Sequence, residues 1–211
     1  GSEMCIRDSP RPLEDSYMPA FLVGLGLARS LAAVNEIPLW QISHQENHLE
    51  AGLWSAQGPD ADRFLLLHAS GGTTDLLLAE KQTDSTYALT QAGGSKDLHA
   101  GQFVDRVGVA LGLQFPAGAA LEQLAATAAD CIELPVAVRQ GDVSLSGPAT
   151  AALRKIEAGA DPAALAAGVQ YAMAETFVRM IRNVAAQKEI FDVLLVGGVV
   201  SNAYIRRHMI E

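Results

Sequence analysis

Cysteine is scarce in this chain: Cys5 and Cys131 are the only two among 211 residues. They form no CxxC pair and no plausible disulfide framework, so a reducing compartment and a cytoplasmic location are expected, and neither is a strong candidate nucleophile. Positive charge is also short, with 15 Lys and Arg against 24 Asp and Glu and a net charge of −9. That balance disfavours a chain that holds nucleic acid by its own electrostatics, because neutralising phosphate dominates such affinity. No apolar run reaches the roughly 18 residues needed to span a bilayer, and no basic-then-apolar secretory leader opens the chain, so no membrane partner is expected. Neither a Walker A loop nor a GxGxxG fingerprint is present, which disfavours P-loop and Rossmann chemistry. What is present suffices for a core: 49% of residues are hydrophobic and 18% charged, which implies one or two compact units.

The first nine residues, GSEMCIRDS, show no periodicity and read as a non-native or disordered leader, leaving 10–211 as the folded region. "FLVGLGLARSLAAVNE" (21–36) is apolar almost all round, as a buried helix would be, and "IPLWQIS" reads as a strand. A helix from His44 to Ser55 places Leu49, Leu53 and Trp54 on its apolar side. "RFLLLHAS" and "TTDLLLAEK" are strand patterns around Gly71-Gly72 and predict a β-hairpin, with "TYALTQAG" as a third strand. Helical patterns follow at "HAGQFVDRVGVALGL", "AALEQLAATAADC", "GPATAALRKIEAG" and the long Ala-rich segment after Pro162, with Glu133–Leu145 read as irregular. "FDVLLVGGVV" predicts a buried strand running through a Gly-Gly turn into a helix with no closing cap before Glu211, which gives the chain the look of a fragment. Strands, helices, strand, helix in this order say α/β.

Three short stretches carry chemistry. HQENH (44–48) sets two histidines at i and i+4, on one face of a helix, where both imidazoles could meet one cation. That spacing is necessary for a two-histidine metal site and not sufficient for one. Two strand-to-turn junctions, "HASGGTTD" (68–75) and "LVGGVVSN" (195–202), leave backbone amides uncovered, and Asn202 is a good N-cap for the helix after the second. Each is singly a common tight turn; paired at strand ends of one α/β chain they favour a nucleotide or phosphate cleft.

These stretches resemble, in the right order from about Val23 to Arg206, the tRNA adenosine threonylcarbamoyltransferases, once described as O-sialoglycoprotein endopeptidases. HQENH is similar to the family's HxEGH, Ser70-Gly71-Gly72-Thr73-Thr74 to its SGGHT turn, and "GQFVDRVGVALGLQFPAGAALEQLA" to its GEAFDKVAxxLGLxYPGGPxIExLA block. "VSLSGPAT" and "VGGVVSN" resemble its FSFSGLKT and AGGVxAN motifs. The resemblance implies an α/β fold of the actin-like ATPase type, here without the family's N-terminal strands and C-terminal end. It implies transfer of a threonylcarbamoyl group from threonylcarbamoyl-AMP to N6 of an anticodon-loop adenosine in tRNA. His44 and His48 would be two ligands of one divalent metal, iron or zinc, with the third, an Asp, beyond Glu211. His68, Ala69, Ser70, Gly71 and Gly72 would contribute backbone contacts to the adenine-nucleotide donor. Asp105, Gly118, Glu122 and Asn202 would take its ribose and base. No catalytic nucleophile is implied, because aminolysis of a mixed anhydride needs positioning and charge stabilisation more than covalent catalysis. The partners implied are tRNA, held with a partner subunit, and a non-catalytic homologous subunit or a second copy.

Several positions depart from the pattern: Thr73 stands for His, Gln102 for Glu, Ala117 for Gly, and Pro148-Ala149 for Leu-Lys. They keep open a second reading, a catalytically impaired paralogue that serves as a nucleotide-binding or dimerisation scaffold. A metalloprotease is disfavoured, because Glu46 does not directly follow the first histidine as in HExxH.

Overall fold

The computed structural model describes residues 19–40 and 42–210, with side chains from residue 23 onward. The leader expected at 1–9 lies outside the described residues. The chain divides into two compact units, residues 1–58 and 59–211, each described by itself.

The first unit contains α1 (Pro19–Val34) and α2 (His44–Ala56). The sequence predicts α1 as a buried helix; among its residues described with side chains, Leu25 and Ala32 form a narrow buried stripe, while Val23, Leu27, Leu31 and Val34 are exposed. Among the described residues of "IPLWQIS", 37–40 and 42–43, the expected strand does not form. The Ile37 amide donates back to Ala32 O, Pro38 has no amide to give, and Ser43 is committed to capping α2. Its Oγ accepts from Glu46 N at 3.1 Å and Glu46 Oε2 accepts from Ser43 N at 2.5 Å, a capping box that fixes where α2 starts. The buried face of α2 runs through Gln45, Leu49 and Gly52; Trp54, two residues past that stripe, is exposed rather than on the apolar side.

The second unit is built on a six-stranded sheet in the order β4-β5-β3-β2-β1-β6. Strands β1 (Arg63–Ala69), β2 (Thr74–Lys81) and β3 (Tyr87–Ser95) form the expected antiparallel meander, β1 and β2 meeting at Ala69 opposite Thr74. Strand β6 (Val193–Val196) runs parallel to β1. The stretch expected to be irregular holds a small hairpin, β4 (Ala137–Arg139) and β5 (Asp142–Ser144), turned at Gln140-Gly141 with Gln140 at φ +56°. Its strands are too short for alternation to show in the sequence.

Helix α3 (Ala100–Ala110) presents Phe103, Val104 and Val107 to the core. Helix α4 (Gly118–Ala125) is shorter than the pattern to Cys131 suggests, and α5 (Ser146–Glu157) and α6 (Pro162–Lys188) follow. Asp161 caps α6 by accepting from Ala164 N at 2.7 Å, with Pro162 in the first turn. After β6, a 3-10 turn (Val199–Ser201) leads into α7 (Ala203–Ile210). Leu65, Leu67 and Ala69 of β1 and Leu76 and Leu78 of β2 face α3 and α6 in one core with Phe103, Val169, Met173 and Phe177. Truncating the fully buried Phe177 to Ala costs about 3–5 kcal/mol on that account. Among the described residues no helix is long and apolar enough to cross a membrane.

Candidate nucleotide cleft

The cleft is assembled by backbone contacts that only glycine permits. An added Cβ at Gly101, in the first turn of α3, would lie 2.6 Å from Gly71 Cα, and the Gly101 amide donates to Ser70 O at 3.0 Å. The adjoining Ala100 amide donates to the buried Thr74 Oγ1 at 2.8 Å, so the start of α3 is seated on the β1–β2 turn. Within that turn Ser70 Oγ accepts from Gly72 N at 3.3 Å and Thr73 N at 3.1 Å. At the other glycine turn, Gly197 has φ +101° and a Cβ there would meet Ala69 O at 2.3 Å, so the two strand-end turns sit against each other.

Around these turns lies a cavity of about 440 Å³. Asp105 on α3 sends Oδ1 to the amide of Ala117 at 2.7 Å, which holds the loop carrying the cis Phe115–Pro116 bond against the cavity. Glu122, one turn into α4, accepts from Ala203 N at 2.7 Å, tying α4 to the first residue of α7. Asn202 caps α7, its Oδ1 accepting from Ile205 N at 3.0 Å. Each carboxylate thus has one oxygen on the backbone and hydrogen-bonds no other described residue with its second. The walls between these polar groups are apolar, including Val104, Phe115, Leu121, Val169 and Ile205.

Of the residues singled out by sequence, Gly71, Asp105, Gly118, Glu122 and Asn202 line this one cavity. His68, Ala69, Ser70 and Gly72 do not: His68 and Ala69 are fully buried in β1, and the Gly72 amide is turned onto Ser70 Oγ. His44 and His48 belong to the first unit, one turn apart on α2, with ring centroids 4.5 Å apart and edge to face. Two imidazoles at that spacing suit the binding of one cation such as iron or zinc.

Two residues escape the sequence reading. Gln170 lines the cavity from the buried face of α6. Its only signal is a carboxamide within a stripe that is apolar apart from it and Thr176. Asp97, before α3, accepts from Leu98 N (2.6 Å) and Leu145 N (2.9 Å) with Oδ1, and from Ser144 Oγ (2.6 Å), Ser146 Oγ and Ser146 N (3.3 Å) with Oδ2. Partial burial raises its pKa, but these hydrogen bonds outweigh that and hold the carboxyl well below the usual carboxylate range. Nothing local in the sequence reports partners nearly fifty residues away.

Three of the departures from the family pattern are accommodated. Gln102 accepts from His99 N at 3.0 Å, capping α3 as a glutamate there would. Ala117 is fully buried and its Cβ fills the space over Gly108, where an added Cβ would come within 2.4 Å of it. Pro148 and Ala149 are buried in the first turn of α5 and do not line the cavity.

A model of the tRNA N6-adenosine threonylcarbamoyltransferase family matches residues 17–211. Relatives of that description from Methanopyrus kandleri and Thermus thermophilus are each 35% identical over 195 residues, covering 92% and 91% of this chain. A Methanothermobacter thermautotrophicus protein described as a probable bifunctional tRNA threonylcarbamoyladenosine biosynthesis protein is 34% identical over 188 residues, 89% of this chain and 34% of its own. The chain spans 55% and 58% of the length of the first two, about half of such relatives. Among solved structures, full-length HypF in a phosphate- and nucleotide-bound form matches with a TM-score of 0.66 at 12% identity, over 82% of this chain and 38% of that one. An activator of 2-hydroxyisocaproyl-CoA dehydratase from Clostridium difficile with bound ADPNP matches with a TM-score of 0.52 at 16% identity, over 80% and 56%. These structural likenesses agree with an α/β fold of the actin-like ATPase type. On the family match and the identities, the chain belongs to the tRNA N6-adenosine threonylcarbamoyltransferase family.

Proposed function

We propose that this chain supplies the nucleotide cleft and two metal ligands of an enzyme that transfers threonylcarbamoyl from threonylcarbamoyl-AMP to N6 of an anticodon-loop adenosine in tRNA. The observation that carries the reading is the convergence of Asp105, Gly118, Glu122 and Asn202 on one cavity with the two glycine turns at its edge. The second oxygens of Asp105 and Glu122 accept ribose hydroxyls, and Gly71 and Gly198, lacking side chains, let the donor approach the main chain closely. The strand end from His68 to Gly72 acts by holding that main chain in place. Bond making is simple: N6 attacks the carbamoyl carbon, the bond to the phosphate oxygen breaks, AMP leaves, and N6 gives up a proton. No serine or cysteine nucleophile takes part.

His44 and His48 would hold one divalent cation, iron or zinc, which would supply Lewis-acid polarisation of an acyl oxygen. The histidines' own part is to present two imidazole nitrogens from a helix whose start is fixed by the Ser43–Glu46 capping box. With a net charge of −9, the chain relies on a partner subunit, homologous or a second copy, for most of its hold on tRNA. A cytoplasmic setting goes with that chemistry.

The test measures metal content by mass spectrometry and the modified nucleosides of tRNA incubated with threonylcarbamoyl-AMP and the protein. About one metal per chain, lost in the His44→Ala/His48→Ala double variant, together with threonylcarbamoyladenosine formation, is expected. Metal content unchanged by the double substitution removes the ligand pair. Nucleotide binding without transfer moves the reading to the non-catalytic scaffold.

A further inference from the structure

Gln170 is 4% exposed, yet its side-chain amide makes no hydrogen bond to any described residue. A carboxamide in that condition, lining open space, has its donors and acceptor free for a partner from outside the fold. The side chain lies at a junction of two spaces. It and Glu122 are the two residues that line both the 440 Å³ cleft and a second space of about 600 Å³ bounded by the end of α4, α6 and α7. Glu122 already has one oxygen on the Ala203 amide. Gln170 is therefore the polar group at this end of the cleft with all of its hydrogen-bonding capacity open.

The backbone around it is fixed. The preceding turn of α6 is pressed against the chain at Gly168, where an added Cβ would lie 2.0 Å from Ile132 O, and Ile132 N donates to Ala164 O at 3.0 Å. The flanking Val169 is fully buried, so the backbone that carries Gln170 is held in place, in a cavity that Leu121 and Ile205 also line. Apolar walls beside a carboxamide suit a purine, whose faces are apolar and whose edge is polar. The amide sets a donor and an acceptor side by side, the complement of the adenine amino group and its neighbouring ring nitrogen.

We propose that Gln170 is the base-reading residue of the cleft, hydrogen-bonding the 6-amino group and an adjacent ring nitrogen of an adenine nucleotide. This rests on the reading of the cavity as a nucleotide cleft. Asp105 and Glu122 act on the ribose and are indifferent to the base; Gln170 is what tells adenine from a purine without the amino group.

The experiment is a double cycle on the full chain, with ADP and the diphosphate of purine riboside, which lacks the 6-amino group, bound to the wild type and to Gln170→Met, an unbranched replacement of similar length. The wild type is expected to prefer ADP by roughly ten- to hundredfold, the discrimination a good bidentate contact gives, and the preference is expected to fall to about onefold in Q170M. A wild-type preference near one overturns the proposal without any variant. So does a preference that survives undiminished in Q170M while ADP still binds. Should Q170M fail to fold, Gln170→Glu, which keeps the acceptor and loses the donor, is expected to reduce the preference as well, and an unchanged preference there counts against the proposal. If neither nucleotide binds the wild type, the nucleotide cleft itself is wrong and the assignment of Gln170 falls with it.

Discussion

Asp97 and Asp105 lie eight residues apart around the start of α3, and they do opposite jobs. Asp97 is exposed, yet both its oxygens are saturated, by hydrogen bonds that tie the β3–α3 loop to the first turn of α5. Asp105 is half-buried, yet only one oxygen is engaged, on the Ala117 amide. Glu122 repeats the second pattern on α4. Solvent exposure is therefore a poor guide to which carboxylate can take a ligand, and the number of bonds each oxygen already accepts is a better one. A saturated carboxylate builds the wall; a half-committed one builds the wall and keeps an oxygen for what binds there.

Removing the saturated partner is the strongest way to test that contrast. Asp97→Ala is expected to lower stability by about 1 to 2 kcal/mol, held below the sum of its bonds because water screens the exposed carboxylate. ADP affinity of the folded variant is expected to match the wild type, and a loss beyond about threefold at unchanged fold would break the distinction. The pH dependence has a definite sign. A carboxyl held below its ordinary range stabilises the fold at neutral pH, and that contribution is lost as pH falls from about 4 toward the depressed value. The gap in unfolding free energy between wild type and Asp97→Asn, followed by denaturant titration, should be level above about pH 5 and narrow below about 4.

The half-committed carboxylate is tested by Asp105→Asn. The asparagine oxygen can still accept from Ala117 N, so stability should move by less than about 0.5 kcal/mol. ADP affinity is expected to fall about tenfold, near 1.4 kcal/mol, because the acceptor proposed for a ribose hydroxyl loses its charge. Equal affinity in a stable variant would place Asp105 with Asp97, as wall alone.

How much of this can be read from sequence follows the same division. Periodicity reveals α3, α5 and α6, because each buries a stripe of side chains at helical spacing, and the glycine pairs mark both strand-end turns. Asp105, Gly118, Glu122 and Asn202 can be picked out because they stand within a long patterned block or beside a turn, and they meet at one cavity. The segment from Ile37 to Ser43 misleads, since β-branched and aromatic residues suggest a strand while the amides there are used to end α1 and begin α2. The hairpin at 137–144 is too short for alternation. Asp97 and Gln170 are hidden for different reasons: one acts on partners distant in sequence, and the other is defined by a bond it does not make.

Glu175 offers the mildest test of the same contrast, at the far side of the cleft wall. Its Oε1 pairs with His208 Nε2 at 3.0 Å and its Oε2 accepts from Arg179 Nε at 3.0 Å, so it is a saturated carboxylate joining α6 to the last turn of α7. Helix α7 is thereby held at both ends, by Glu122 and Asn202 at its start and by Glu175 near its finish. The His208 hydrogen bond lowers the Glu175 pKa, burial opposes it, and Arg179 lowers it further. A lowered carboxyl contributes stability above the ordinary glutamate value and loses it as pH falls through the folded value. Glu175→Gln should therefore cost about 0.5 kcal/mol at about pH 7, with the difference fading below about pH 4. Because both oxygens are already committed, ADP affinity should stay within about twofold. A larger loss would mean that the anchoring of α7 by Glu175 sets the position of Asn202 and Ile205 in the cleft, and that saturated carboxylates also govern binding through the helix they hold.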